Sequence, residues 1–290
     1  MRYPKNIDLH IHTRISDGTD SPEDILTKVK AAGIEVFSVT DHDAVKGCLT
    51  VQSIRRESDP LFLTGVEFSC RDEEGFYHIL AYGYDPDAVS MQELAEFGHT
   101  IRMKKLRMRL DHLESEFGFS FSETETEELM AMNNPGKPHL AILMVKKGYA
   151  KTKEDAIESY LNKLHVRSAF LRPEDAITGI LAGGGIPVLA HPSYGNGDQL
   201  ILGDEMNQRL RHLTAFGLRG VEAYYSGFTP KIRNEMLQFA EQYDLYVTAG
   251  SDYHGNNKSV ELGDTGLDTC PEVPERMCRF LKDVGIPPLP

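Results

Sequence analysis

Three times this chain passes through the same short unit, a helix that opens on a proline followed by a strand that ends at or near a histidine. The first copy runs from Pro22-Glu23-Asp24 through Gly33-Ile34 to Thr40-Asp41-His42, and the second from Pro173-Glu174-Asp175 through Gly185-Ile186 to Leu189-Ala190-His191. In the third, residues 220–225 read as a strand, 230–243 as a helix, and 245–251 as a strand delivering Asp252-Tyr253-His254. Such repetition predicts a (βα) architecture, whose functional groups gather at the C-terminal ends of the strands. The first helix carries its own start signal. Ser21 can cap it, Pro22 suits its first position, and Glu23 and Asp24 suit the positive end of its dipole.

Ahead of these units an apolar run beginning near Ile7 carries His10 and His12. Period-2 geometry puts both rings on one face of a buried strand, a pairing that suits metal ligation. Asp17 follows in a polar loop. Residues 61–70 read as a strand that holds Glu67 among strand formers, and charged residues are rarely buried without partners. Residues 76–84 read as its hairpin partner across Arg71 to Gly75, with His78 inside the run. From about residue 90 to 170 the pattern turns to charged helices over 91–117, 123–132, 138–147 and 152–164. The expected division is a first barrel part at 1–95, a mostly helical insertion at 96–168, and a second barrel part with its tail at 169–290. The proline-rich tail should hold one short helix.

Composition limits the chemistry. An apolar content of 40% over 290 residues allows a packed core, and no window approaches a membrane span or a signal peptide. The four cysteines lack CxxC spacing, which fits a reducing, cytoplasmic setting and leaves any metal to nitrogen and oxygen ligands. Imidazole and carboxylate donors favour Mn, Fe or Zn. A formal charge of −13 argues against stable binding to duplex nucleic acid, although bound divalent cations can invert the field at a site for an anionic substrate. Gly183-Gly184-Gly185 precedes a strand, contrary to the order of a dinucleotide-binding fingerprint.

Collected from strand ends and adjacent loops, the candidates are His10, His12, Asp17, Asp41, His42, Glu67, His78, His191, Asp252 and His254. Six of the eleven histidines fall where a barrel would bring them together. His10-Ile11-His12, Thr40-Asp41-His42-Asp43, Glu67, His78, Ala190-His191-Pro192 and Ser251-Asp252-Tyr253-His254 together resemble the PHP (polymerase and histidinol phosphatase) family over residues 7–85 and 170–255. The resemblance implies a distorted α/β (βα)7 barrel and a trinuclear centre. It implies that His10, His12, Glu67 and Asp252 hold one metal, that Glu67 bridges to a second completed by His78 and His191, and that Asp17, His42 and His254 hold a third. Asp41 is left to orient a ligating imidazole. A carboxylate can span metals about 3.5–4 Å apart, a spacing suited to a bridging hydroxide that attacks phosphorus directly. Glu67, Asp252, His254 and Asp41 are thereby the expected catalytic groups.

The insertion most resembles the branch that holds nucleoside 3′,5′-bisphosphate phosphatases and RNase AM. That implies a metal-dependent phosphoesterase for a small phosphorylated nucleotide or sugar, with a bisphosphate or a 5′-phosphorylated oligonucleotide favoured. Hydrolysis of a ribose cyclic phosphodiester or of histidinol phosphate is the enzymatic alternative. A metal-free structural module is the non-enzymatic one, disfavoured because every ligand position is filled. In Lys137-Pro138-His139 a lysine stands where that branch has arginine, so a point charge replaces a bidentate donor. Arg102, Lys105 and Arg109 share one helical face, expected to be an ordinary solvated one. Lys137, His139, Arg102, Arg167 and Arg172 are the candidates for a second phosphate.

Overall fold

The computed structural model of this protein describes residues 2–164, 170–195 and 199–288. Seven strands follow one another around a single sheet in chain order: β1 (Ile7–Ile11), β2 (Val36–Val39), β3 (Leu61–Arg71), β4 (Phe76–Tyr82), β5 (Ile186–Leu189), β6 (Gly220–Tyr225) and β7 (Tyr246–Gly250). Neighbours pair in parallel except at β4, which runs antiparallel to both β3 and β5. The ends of the sheet meet: His12 N–H donates to the Tyr253 carbonyl at 2.9 Å and Asp252 N–H to the His10 carbonyl at 2.8 Å. The result is a nearly closed barrel with one reversed stave, made by the hairpin expected across Arg71 to Gly75.

The parallel strands read as near-continuous apolar runs because both of their faces are covered, and β1, β2 and β5 are buried at every position. Helices α1 (Pro22–Ala31) and α2 (Lys46–Ile54) follow β1 and β2. The start of α1 is a reciprocal capping box: Asp24 N–H donates to Ser21 Oγ while Ser21 N–H donates to Asp24 Oδ2, each at 3.1 Å. Such a cap stabilises a helix by about 1 kcal/mol.

Between β4 and β5 lie α3 (Val89–Phe117), α4 (Glu123–Met130), α5 (Lys137–Lys146), α6 (Lys153–Ala156) with a π-helical turn at Ile157–Leu161, and then α7 (Pro173–Ala182). The 29 residues of α3 serve two cores. Met91 and Leu94 pack into the barrel's apolar core, whereas Leu106, Leu110 and Leu113 join Leu129, Leu140, Met144 and Leu161 in a separate one. The second half of the barrel carries α8 (Gly203–Ala215), α9 (Pro230–Gln242) and α10 (Glu275–Asp283). The tail helix was expected and α8 was not; its stripe is only Met206, Leu210 and Leu213, beside a buried Arg209. Among the described residues no helix is long and apolar enough to cross a membrane.

Candidate metal centre

All nine sequence-predicted ligands converge at one end of the barrel, and Glu67 is the hub. Its Oε2 lies 3.4 Å from His10 Nε2, 3.2 Å from His12 Nε2 and 2.9 Å from His42 Nδ1. Its Oε1 lies 2.9 Å from His78 Nδ1 and 3.2 Å from His191 Nε2. The strand register explains this reach. His78 on β4 stands opposite Ser69, two residues along β3 from Glu67, so the two side chains share a face as diagonal neighbours. Asp252 Oδ1 closes the near side, 3.4 Å from His12 Nε2 and 3.7 Å from His10 Nε2. Asp17 faces His254 Nε2 at 3.2 Å and His42 Nε2 at 3.7 Å.

Three overlapping donor groups result: His12, Asp17, His42 and His254; His10, His12 and Glu67; and His42, Glu67 and His78, each with its ligand atoms within 4.8 Å of one another. His12 and His42 each belong to two groups, so the side chains are shared more widely than a division into three separate sets. The strand ends that deliver these groups bend sharply. Asp43, His191 and Asp252 all take positive φ, at 49°, 27° and 60°. Non-glycine residues held there cost about 1–3 kcal/mol each, and such strain collects at functional sites.

The fields in this cluster are those of a buried ionic lattice. Burial acts to raise the Glu67 carboxyl, but His78, His42 and His10 together outweigh it and hold it well below the usual range. Asp17 and Asp252 are likewise held low against burial, by His42 and His254 in the first case and by Lys258 and His10 in the second. Burial, with the charge of His254, pushes His12 down to about 4, and burial pushes His78 down to about 4 despite Glu67. Those two rings are neutral near pH 7, the state in which imidazole binds a metal.

A divalent ion fits this donor set. Glu67 Oε2 and His42 Nδ1 are buried without a hydrogen-bond partner, since their 2.9 Å approach lacks hydrogen-bonding geometry. Uncompensated buried polar atoms are costly, and an ion held between them would remove that cost. The donors are nitrogen and oxygen throughout, which suits Mn, Fe or Zn.

Asp41 does not meet the expectation placed on it. Among the described residues its carboxylate touches no imidazole; Oδ1 accepts from Thr13 N–H at 2.8 Å and Ser16 Oγ at 2.7 Å, and Oδ2 accepts from Thr13 Oγ1 at 2.7 Å. It sits just after β2, level with the loop that follows β1, and therefore braces that loop. Only through Ser16 Oγ, 3.4 Å from His12 Nδ1, does it approach a ring. Sequence reading missed Glu222, which is fully buried on β6 with Oε1 3.0 Å from His10 Nδ1. The signal that selected Glu67, a carboxylate among strand formers, was present in Gly220–Tyr225 as well. Also missed was Lys258, whose Nζ lies 2.5 Å from Asp252 Oδ2 in the loop after β7.

Beside the cluster opens a cleft of about 510 Å³, lined by Asp17, His42 and His78 on one side and by Arg71, Lys105, Arg109, Lys137 and Phe170 on the other. The basic face of α3 is therefore turned into this cleft and is not the ordinary solvated face expected. Burial pushes Lys105 down to about 7, and its Nζ sits 3.2 Å from the centre of the Phe170 ring. Arg102 lines the cleft too but is engaged by Asp43, with Nη2 2.6 Å from Oδ2. Lys137 donates to Asn162 Oδ1 at 2.6 Å. Among the described residues Arg71, Lys105, Arg109 and Lys137 have no carboxylate within ion-pair distance. The other candidates fare differently. His139 Nδ1 accepts from Gly136 N–H at 3.0 Å and so closes the start of α5 instead of lining the cleft. Arg172 is exposed at the start of α7, 3.7 Å from Glu174, and does not reach the cleft either; one turn of α7 carries both charges into solvent. Arg167 lies outside the described residues.

The profile of the PHP domain family matches residues 8–251. The chain belongs to the PHP domain family. Among curated relatives, this PHP protein is 29% identical to a 5′-3′ exoribonuclease of Haemophilus influenzae, over 89% of this chain and 93% of that one. It is 26% identical to a 3′,5′-nucleoside bisphosphate phosphatase of Chromobacterium violaceum, over 86% and 87% of the two chains. A phosphoribosyl 1,2-cyclic phosphate 1,2-diphosphodiesterase of Eggerthella lenta is 28% identical, over 86% of this chain and 94% of its own. In structure, the PHP barrel and its insertion superpose on a Bifidobacterium adolescentis protein assigned to the metal-dependent phosphoesterases with a TM-score of 0.80, 26% identity and 96% coverage of both chains.

Proposed function

We propose that this PHP protein is a metal-dependent phosphoesterase that hydrolyses a substrate bearing two phosphates, a nucleoside 3′,5′-bisphosphate or a 5′-phosphorylated oligonucleotide. The observation that carries this reading is the cleft. One wall is the ligand cluster and the other presents Arg71, Lys105, Arg109 and Lys137, which have no carboxylate partner among the described residues, so a phosphate at each wall would be matched in charge. His10, His12, Glu67 and Asp252 would hold a first ion, Glu67 with His78 and His191 a second, and Asp17, His42 and His254 a third, the ions being Mn, Fe or Zn. When bound, such ions supply a water activated near neutral pH and a sink for charge on the phosphoryl oxygens.

The chain's own residues do the rest. Glu67 presents one oxygen to the His10 and His12 side and the other to the His78 and His191 side, which keeps the two donor groups at a fixed separation. Arg71, Lys105 and Arg109 receive the phosphate that does not react, and Phe170 walls off water beside them. Lys137 adds a point charge at the start of α5. The helical segment at 96–168 is in this reading the unit that chooses the substrate, while the barrel residues on either side of it do the chemistry.

Rates on a panel test this: a nucleoside 3′,5′-bisphosphate, a 5′-phosphorylated oligoribonucleotide, a ribose cyclic phosphodiester and an aryl phosphate, each with Mn, Fe and Zn. Each charged contact to the second phosphate is worth about 1.5–3 kcal/mol, or at least about tenfold in kcat/KM. The bisphosphate or the 5′-phosphorylated end should therefore exceed the aryl phosphate by at least about that factor. Equal turnover of the two would overturn the substrate. The Eggerthella relative supports the second reading, the cyclic diester, and a rate on it above both phosphate-ended substrates would establish that instead.

A further inference from the structure

Glu222 is fully buried beside the cluster yet belongs to none of the three donor groups. Its two oxygens are both used. Oε1 lies 3.0 Å from His10 Nδ1, and Oε2 accepts the backbone N–H of His191 at 2.7 Å. His10 thereby has one nitrogen on Glu222 and the other, Nε2, among Glu67, His12 and Asp252. His191, which takes an uncommon φ of 27°, has its amide fixed by the same carboxylate that orients His10.

The backbone is shaped for this contact. β6 and β7 slip register between Glu222 and Tyr224, and β1 and β2 slip between Asp8 and Ile11. Each pairing thus shifts register next to one member of the Glu222–His10 pair, and such irregularities in a ladder re-aim side chains beside active sites. Between the two strands stands Gly250 of β7. A Cβ there would lie 2.2 Å from His10 Cβ and 2.4 Å from Glu222 Oε1, so only glycine lets the two meet.

We propose, on the metalloenzyme reading above, that Glu222 is a positioning residue for the metal centre. It holds the His10 ring with Nδ1 protonated and Nε2 facing the ion, and through the His191 amide it ties a ligand of the first ion to a ligand of the second. A carboxylate behind a ligating imidazole fixes its tautomer and raises its basicity, and removing such a partner weakens metal affinity about 10–100-fold. Glu222 touches neither substrate nor reacting atoms, so its effect is on how tightly and where the ions sit.

Chelator-competition titration of metal-free wild type and Glu222→Gln with Zn²⁺ and with Mn²⁺ tests this. The amide keeps the shape and an oxygen for the His191 N–H but loses the charge behind His10. The tightest step should weaken about 10–100-fold with the far-ultraviolet circular dichroism of the metal-free protein unchanged. Wild-type affinity and stoichiometry in Glu222→Gln would overturn the proposal. Should that variant not fold, ¹⁵N spectra of the histidines in Zn²⁺-loaded wild type decide: the His10 proton belongs on Nδ1, and metallation at Nδ1 would overturn it. If wild type itself binds neither ion, nor Fe²⁺ in the same titration, the metalloenzyme reading fails and takes this one with it; if wild type binds and the variant binds equally, this one alone fails.

Discussion

The ligand cluster and the basic cleft share a wall but are built in opposite ways. Strands β1, β3 and β4 carry His10, Glu67 and His78 within their spans, β2, β5 and β7 deliver His42, His191 and Asp252 just beyond their last residues, and β6 supplies Glu222 behind His10. Most of the cluster's side chains are buried, with His42, His78 and His191 partly open to the cleft side, and most touch two partners. The cleft's cations come from one face of α3, the end of β3 and the start of α5, and apart from Arg102, which Asp43 engages, they have no carboxylate partner among the described residues. A site assembled from many strand ends resists change, because moving one ligand disturbs several. A site drawn from one helix face can be revised residue by residue.

Substitutions should separate the two regions. The largest effect belongs to the hub: Glu67→Gln should lower kcat by on the order of 10³-fold or more on every substrate, with KM little altered, in steady-state assays. A loss confined to bisphosphates would erase the distinction between the regions. Next, metal should stabilise as well as activate. At 100 times its dissociation constant an ion bound only to the folded state adds about 2.7 kcal/mol, so chelation should lower the melting temperature measurably while Lys105→Ala should leave that difference unchanged.

Within the cleft, Lys105→Ala or Arg109→Ala should cost about 10–100-fold in kcat/KM on the phosphate-ended substrate and little on an aryl phosphate. Because burial sets Lys105 near 7, its charge is present below that pH and lost above it. KM for the two-phosphate substrate should therefore rise as pH passes through about 7, and Lys105→Arg should remove that rise in a pH profile. The smallest effect is reserved for Arg172→Ala, which should change neither KM nor kcat by more than about twofold. A larger change would place a residue in the cleft that the geometry leaves in solvent.

Which parts were readable from sequence follows the same contrast. His10 and His12 were legible because period-2 spacing and burial act locally, and His42, His191 and His254 because each ends a repeated unit. Glu67 was legible as a charge in an apolar strand; Glu222 carries the same local signal, but its purpose depends on a partner 212 residues away. Asp41 was left to orient an imidazole once the resemblance had assigned the ligands; what it braces is the loop after β1, and no spacing rule reveals that. The orientation of Arg102, Lys105 and Arg109 depended on where α3 leans. Helical periodicity shows that residues share a face and leaves open what the face looks at. Arg172 stands where the helical segment rejoins the barrel, next to the proline that begins α7, and nearness in sequence does not say which way its side chain leans.

The reversed stave has one more consequence. Because β4 runs against its neighbours, it ends at the floor of the barrel, where Tyr82 pairs with Ile186 at the start of β5. A chain leaving there must climb the outside to reach the rim, and α3 is that climb: 29 residues at 1.5 Å each make a rod of about 43 Å. It is seated low against α7, where Gly179 admits Leu94, and high against the rim, where Gly98 admits Asp43. On the proposed reading the recognition head is thus carried on a mast stepped into the hull, and its height above the metal centre at the rim is set by helix length. Inserting or deleting two turns in the upper part would shift the head by roughly 10 Å and refit it to a longer or shorter substrate, leaving the chemistry below untouched.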